Sequence, residues 1–161
     1  MHSVATTDYR TPSSWIALAV FLVLVIGVGA LVGTQSQPGV WYESLAKPPL
    51  NPPNWVFGPV WFALYVMIAV AGWRIWVAAP QSTAMKFWGA QMLLNWAWSP
   101  VWFLAQMPWA AFAILVTMWL AIAGFILTAR RHDIIAPWLF LPYIAWVSFA
   151  GYLNLSIALL N

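Results

Sequence analysis

The chain has no cysteine and very little charge: six Lys and Arg against three Asp and Glu, with two His, in 161 residues. Without cysteine there is no disulfide, no Cys–zinc site, no thiolate nucleophile and no covalent haem attachment. A charged share of 6% is far below the roughly 25–35% that a water-facing surface carries. An ordinary soluble domain is thereby excluded. Apolar residues take the place of the missing charges, 64% of the chain, and they are spread along it rather than gathered in one anchor. These features predict a multi-span α-helical membrane protein forming one membrane domain over residues 1–161. The net charge of +3 is carried by scattered basic residues; it is not a nucleic-acid footprint, and in a membrane protein such residues report orientation.

Crossing a ~30 Å hydrocarbon core takes about 20 helical residues. Apolar runs of about that length cover residues 15–33, 57–77, 87–104, 109–129 and 137–160, which predicts a five-transmembrane-helix bundle. The first run is too long for the ~7–15-residue apolar core of a signal peptide. Strands are disfavoured, because the runs are long and lack period-2 alternation. Arg74, near the far end of the second run, is placed to snorkel toward the headgroups. Pro100 is expected to kink the third helix near Trp96.

Residues 34–54 form a long first loop rich in proline, with Pro48, Pro49, Pro52 and Pro53 favouring a stiff extended path over regular helix. Loops of this length are usually functional or disordered, and the aromatics here argue for function. With five spans, Arg10, Arg74, Lys86, Arg130 and Arg131 share one side, and Lys47 lies on the other. That bias predicts a cytoplasmic N-terminus.

Tryptophan is the most over-represented residue, with 14 copies. Trp15, Trp41, Trp55, Trp76, Trp109 and Trp138 lie near span ends and read as an interfacial belt. Trp61, Trp98 and Trp146 lie deeper. On the second helix Phe57, Trp61 and Tyr65 recur at i, i+4 and i+8 along one face. On the third, Gln91, Asn95 and Trp98 align, and on the fifth Trp146, Ala150 and Asn154 follow Tyr143. Amides are costly toward lipid, so Gln91, Asn95 and Asn154 point into the bundle. Two readings stand for them: they cross-link helices, or they supply the sparse polar contacts of a largely apolar pocket. Gly29 and Gly33 form a GxxxG step that permits close helix approach, within one chain or between copies.

Groups for acid–base or metal chemistry are scarce. Glu43 and Asp133 fall in loops, His2 in the N-terminal tail and His132 beside Arg131, and no metal site is expected. Ion-coupled carriers place ionisable residues within their spans, and these spans hold none in mid-membrane. The pattern favours binding a flat apolar ligand over hydrolytic or metal chemistry.

The segment WYESLAKPPLNPPNWVFGPVWFALY, from Trp41 to Tyr65, resembles the first loop and second helix of the translocator proteins, also called tryptophan-rich sensory proteins. QMLLNWAWSPVWF, from Gln91, resembles their third helix, and LPYIAWVSFAGYLN, from Leu141, their fifth. The resemblance implies a five-helix, commonly dimeric protein with a pocket open toward the first loop. It implies porphyrins such as protoporphyrin IX, or other apolar small molecules, as ligands, with no obligatory cofactor. Trp61 and Trp146 match the family's pocket tryptophans, linked there to light-dependent porphyrin breakdown. Tyr42, Pro52 and Pro53 match its loop, Asn95 its helix-three amide, and Ala150 its small helix-five position. Animal members carry a Tyr followed shortly by Lys or Arg in a cholesterol-recognition stretch. Here Tyr152 is followed by no basic residue, which argues against cholesterol handling and for a bacterial plasma-membrane protein.

Three functions use such a pocket. The first is a binding and sensory protein for tetrapyrroles, in which occupancy alters dimer or partner contacts. The second is a photo-oxidative enzyme acting through Trp61 or Trp146. The third is a transporter for tetrapyrroles or lipids, which the missing intramembrane charge weakens.

Overall fold

The computed structural model describes residues 9–161, and His2 lies outside the described residues. The described chain is helical. Helix α1 (Pro12–Gln35) starts where Pro12 occupies the first turn and the Thr11 hydroxyl accepts from the Ser14 amide at 3.3 Å. Its missing proline N–H is one that no helix would use. A short α2 (Val40–Ser44) and a 3₁₀ turn (Asn54–Val56) precede α3 (Phe57–Ala78). Ser82 caps α4 (Thr83–Phe103) by accepting from Met85, and α5 (Pro108–Ala129) again begins on proline. The chain closes with α6 (Ile135–Leu139) and α7 (Leu141–Leu160).

Four stretches are long and apolar enough to cross a membrane: Pro12–Gln35, Asn54–Ala78, Pro108–Ala129 and Ile135–Leu160. Helix α4 has a comparable 21 residues but is less apolar, because Lys86, Gln91, Asn95 and Ser99 sit along it. The outer surface is built of large apolar side chains, among them Ile16, Val23, Leu31, Leu93, Leu120 and Leu127. Such a surface is stable against lipid and not against water.

Packing closes the long helices into a ring: α1 on α3, α3 on α6 and α7, α7 on α5, α5 most extensively on α4, and α4 back on α1. The half of the bundle remote from the proline-rich segment is filled. Ile68, Ile75, Met92, Ile122, Phe125 and Phe140 are wholly buried there, with the Phe125 and Phe140 rings 4.0 Å apart. That end is latched by polar groups. Arg74 donates twice to Asp133, at 2.9 and 2.7 Å, and Tyr9 donates to the same carboxylate at 2.8 Å. Asp133 also accepts the backbone amides of Ile135 and Ala136, at 2.9 and 2.7 Å, and so starts α6.

Several expectations change. Arg74 reaches the loop carboxylate of Asp133 at that end of the bundle and is held there in an ion pair. The last apolar run is not one helix from residue 137, because Phe140 (φ −90°, ψ −10°) separates α6 from α7. Pro142, at the second position of α7, has no amide to continue the ladder. The proline-rich segment carries one helical turn, α2, before its prolines begin. Helix α4 runs through Pro100 to Phe103, close to the expected end at residue 104. Five of the belt tryptophans are exposed, from Trp76 at 48% to Trp55 at 76%. Trp41 instead packs against Trp102, with ring centroids 5.8 Å apart.

Candidate ligand cavity

The unfilled half of the bundle encloses a cavity of about 650 Å³ below the proline-rich segment. Every long helix contributes to it. Helix α3 brings Phe57, Trp61 and Tyr65 from one face, as their spacing predicts. Helix α4 adds Asn95 and Trp98, α7 adds Ala150 and Asn154, and Tyr42 reaches in from α2. These are eight of the thirteen residues singled out from the sequence.

The rings are organised by edge and face contacts. Trp61 lies 5.5 Å from Tyr65 and 6.3 Å from Tyr143, while Trp98 stacks on Trp102 at 6.1 Å with planes 10° apart. Such walls suit a flat apolar body, since each ring contact adds to dispersion without demanding a polar partner.

The floor is a chain of buried hydrogen bonds. Tyr65 donates to Asn95 Oδ1 at 3.1 Å, Asn95 donates to the Tyr143 hydroxyl at 3.0 Å, and Tyr143 donates to Gln91 Oε1 at 2.9 Å. Gln91 then donates to the Trp88 carbonyl, and Trp88 donates to the Ile68 carbonyl, both at 2.9 Å. Every member has a partner, which makes a buried polar network rigid rather than costly. Asn154 accepts from Trp98 Nε1 at 3.2 Å and donates to the Pro108 carbonyl at 2.9 Å, joining α4, α7 and α5.

The two readings of the amides are therefore compatible. Gln91 only cross-links, whereas Asn95 and Asn154 cross-link and also face the cavity. Gln91 and Tyr143 sit behind the wall. Pro52 and Pro53 belong to the covering segment without touching the space. Trp146 is also set apart: it faces a shallow outer groove with Pro59, Ala63 and Phe149. Its ring edge meets Phe57 at 5.9 Å, so one aromatic layer separates it from the cavity.

Other residues of the wall were not anticipated. Ile26, Ala30, Val32 and Gly33 come from α1, Trp102 from α4, and Leu115 and Met118 from α5. Trp102 follows Trp98 at i+4, a spacing that announces a shared face. Helix α1 gives no comparable signal, being apolar all round. Of the GxxxG pair only Gly29 is packed within the chain, where a methyl would overlap the Tyr65 ring, while Gly33 meets no atom within 4 Å.

The proline-rich cover is braced within itself and clasped at its middle. Tyr42 donates to Asn51 Oδ1 at 3.3 Å, and Lys47 lies over the Tyr42 ring. Burial pushes the Tyr42 hydroxyl above its ordinary pKa, against the opposing pull of Asn51, so it stays a neutral donor. The Asn161 amide clasps the Ala46 backbone, accepting from its N–H at 3.0 Å and donating to its carbonyl at 3.1 Å. Among the described residues no group of three His, Cys, Asp or Glu side chains is placed to hold a metal.

An apolar exterior, several membrane-length helices and a partly open aromatic cavity define a multi-pass integral membrane protein with an internal ligand-sized space. The chain belongs to the TspO/MBR family, whose model matches residues 17–160. It is 34% identical to the tryptophan-rich protein TspO of Chlorobaculum tepidum, over 91% of this chain and 95% of that one. It is also 34% identical to the tryptophan-rich sensory protein of Cereibacter sphaeroides, over 91% and 92% of the two chains. The translocator protein of Bos taurus is 35% identical over 84% of this chain and 85% of its own.

Proposed function

We propose that this protein binds a porphyrin, or another flat apolar molecule, in the cavity beneath the proline-rich segment and serves as a sensor of tetrapyrrole or stress status. The observation that carries this reading is the cavity itself: about 650 Å³, walled by Phe57, Trp61, Tyr65 and Trp98 and floored by the Tyr65–Asn95 pair. Ligand pockets fall at ~300–1,000 Å³, with apolar walls and a few placed polar groups. The relatives' names, sensory protein and translocator protein, are consistent with a ligand-responsive role.

In this reading α4 is the fifth span, sheltered by α5 and α1 from full lipid contact, and the N-terminus is cytoplasmic in a bacterial plasma membrane. Reporter fusions at the two termini test the topology, and finding both ends on one side defeats an odd number of spans. A homodimer is the expected assembly.

The deciding experiment is a titration of protoporphyrin IX into the purified protein, followed by absorbance in the dark and under light. Saturable dark binding without light-driven loss supports the sensor. A second reading, a light-dependent porphyrin-degrading enzyme, draws on the oxidisable Trp61 indole at the cavity wall; repeated turnover under light selects it. Absence of saturable binding defeats both.

A further inference from the structure

The cavity is closed on most sides. The residues that α4, α5 and α7 contribute to it are buried or half-buried. Exposed wall residues are confined to two adjoining strips: Ala30 and Gly33 with the residues just after α1, and Asn54, Gly58 and Phe62 at the start of α3. Helices α1 and α3 pack directly on each other. They meet closely at Gly29, which lies against the Tyr65 ring where no side chain fits. Beyond that contact, toward the proline-rich segment, the gap between them is open. A side-chain carbon built at Gly33 or Gly58 meets no atom within 4 Å.

Resting on the ligand-binding reading above, we infer that this slot between α1 and α3 is a lateral portal, through which the ligand passes directly between the bilayer and the cavity. Ala30 and Phe62 each lie five residues from the helix end nearest the segment, so the slot reaches roughly 8 Å down from it. Its lower rim is apolar, with Phe62 59% exposed, and its upper rim carries the amides of Gln37 and Asn54. That gradient fits an amphiphile lying at the headgroup–acyl boundary, with its apolar body entering below and its polar edge staying above. The covering segment has no need to lift, consistent with its attachment to Asn161. Glycine at positions 33 and 58 keeps the slot wide enough for a rigid ring system.

The experiment measures association and dissociation of protoporphyrin IX by stopped-flow quenching of tryptophan fluorescence, with the protein in lipid nanodiscs. The variants are Gly33→Leu, Gly58→Leu and their double, with Gly27→Leu as control. Gly27 also has open space around it but lies outside the cavity wall. A narrowed portal slows entry and exit together, by about tenfold in the double variant, or ~1.4 kcal/mol of added barrier. Gly27→Leu keeps the parental rates. Phe62→Ala, which widens the slot, speeds both. Parental rates in the double variant overturn the portal, and so does slower entry with faster exit, which is the signature of a crowded pocket. If the parent chain itself shows no saturable binding, the ligand-binding reading fails and the portal with it.

Discussion

Tyr65 and Asn95 meet across the floor of the cavity, the hydroxyl of one donating to the amide oxygen of the other at 3.1 Å. The bond joins α3 to α4, and through the second hydrogen-bonding group of Asn95 it reaches Tyr143 on α7. Three helices of the wall are thus set by one amide.

Removing that amide therefore affects both the fold and the site. Asn95→Leu leaves the Tyr65 and Tyr143 hydroxyls each short of a partner, and buried unsatisfied groups cost about 1–3 kcal/mol. A lower melting temperature in detergent and weaker ligand binding are expected. A double-mutant cycle with Tyr65→Phe should return a coupling of about 0.5–2 kcal/mol. Additive effects would show that the two side chains do not act on each other.

Trp61 and Trp146 are separated by the structure although the sequence pairs them. Trp61 faces the cavity, whereas Trp146 lies behind Phe57. Trp61→Phe is expected to slow any light-driven porphyrin loss, because phenylalanine keeps the apolar contact and lacks the oxidisable indole. Trp146→Phe should have the smaller effect. Equal rates in both variants and the parent exclude tryptophan photochemistry.

Ala150 is half-buried on the cavity wall of α7. Ala150→Thr adds a branched side chain with restricted rotamers and a hydroxyl that bonds back along the helix. Overpacking costs ~1–3 kcal/mol, or roughly 5- to 150-fold in affinity when it falls on the liganded state. Titration with protoporphyrin IX in one detergent measures this, and unchanged affinity with unchanged thermal stability removes Ala150 from the site.

Asp133 gives the fold a defined acid response. Burial opposes its ionisation, but hydrogen bonds from Arg74, the Ala136 amide and Tyr9 outweigh burial and hold the carboxyl below its ordinary 3.8. Tyr9, buried and bonded to the carboxylate, is pushed up to about 12 and stays protonated. A depressed acid stabilises the fold above its unfolded value and loses that contribution as pH falls through the folded one. Melting temperature should therefore drop as pH falls below about 4 in the parent. Asp133→Asn should start lower and depend less on pH; an equally steep acid loss would place the titration elsewhere.

Much of the arrangement was legible because lipid simplifies the problem. Apolar runs located the long helices to within a few residues, and the cost of an amide in lipid turned Gln91, Asn95 and Asn154 inward. The misplacement of Trp146 has a geometric cause. Each i, i+4 step advances an α-helix by ~400°, so eight residues turn a face by about 80°. Counted from Asn154, which faces the cavity, that drift carries Trp146 onto the side of α7 that meets α3. Helix α3 tolerates the same drift from Phe57 to Tyr65 because it borders the open side, where a wider arc meets the space. The contribution of α1 was not legible, since a helix apolar all round does not announce which face meets a cavity. The break at Phe140 was marked by Pro142, whose missing amide the long apolar run concealed.

The clasp between Asn161 and Ala46 spans 115 positions of sequence, and the cavity it covers is walled by α1 and α7 alike. Consequently the cavity is complete only when the first and the last long helix are both in place. Without α7 the cavity loses the part of its wall that carries Ala150 and Asn154, and the proline-rich segment loses its clasp at Ala46. A chain stopped after α5 therefore leaves the Trp98 indole without its Asn154 partner and the cavity without its α7 wall.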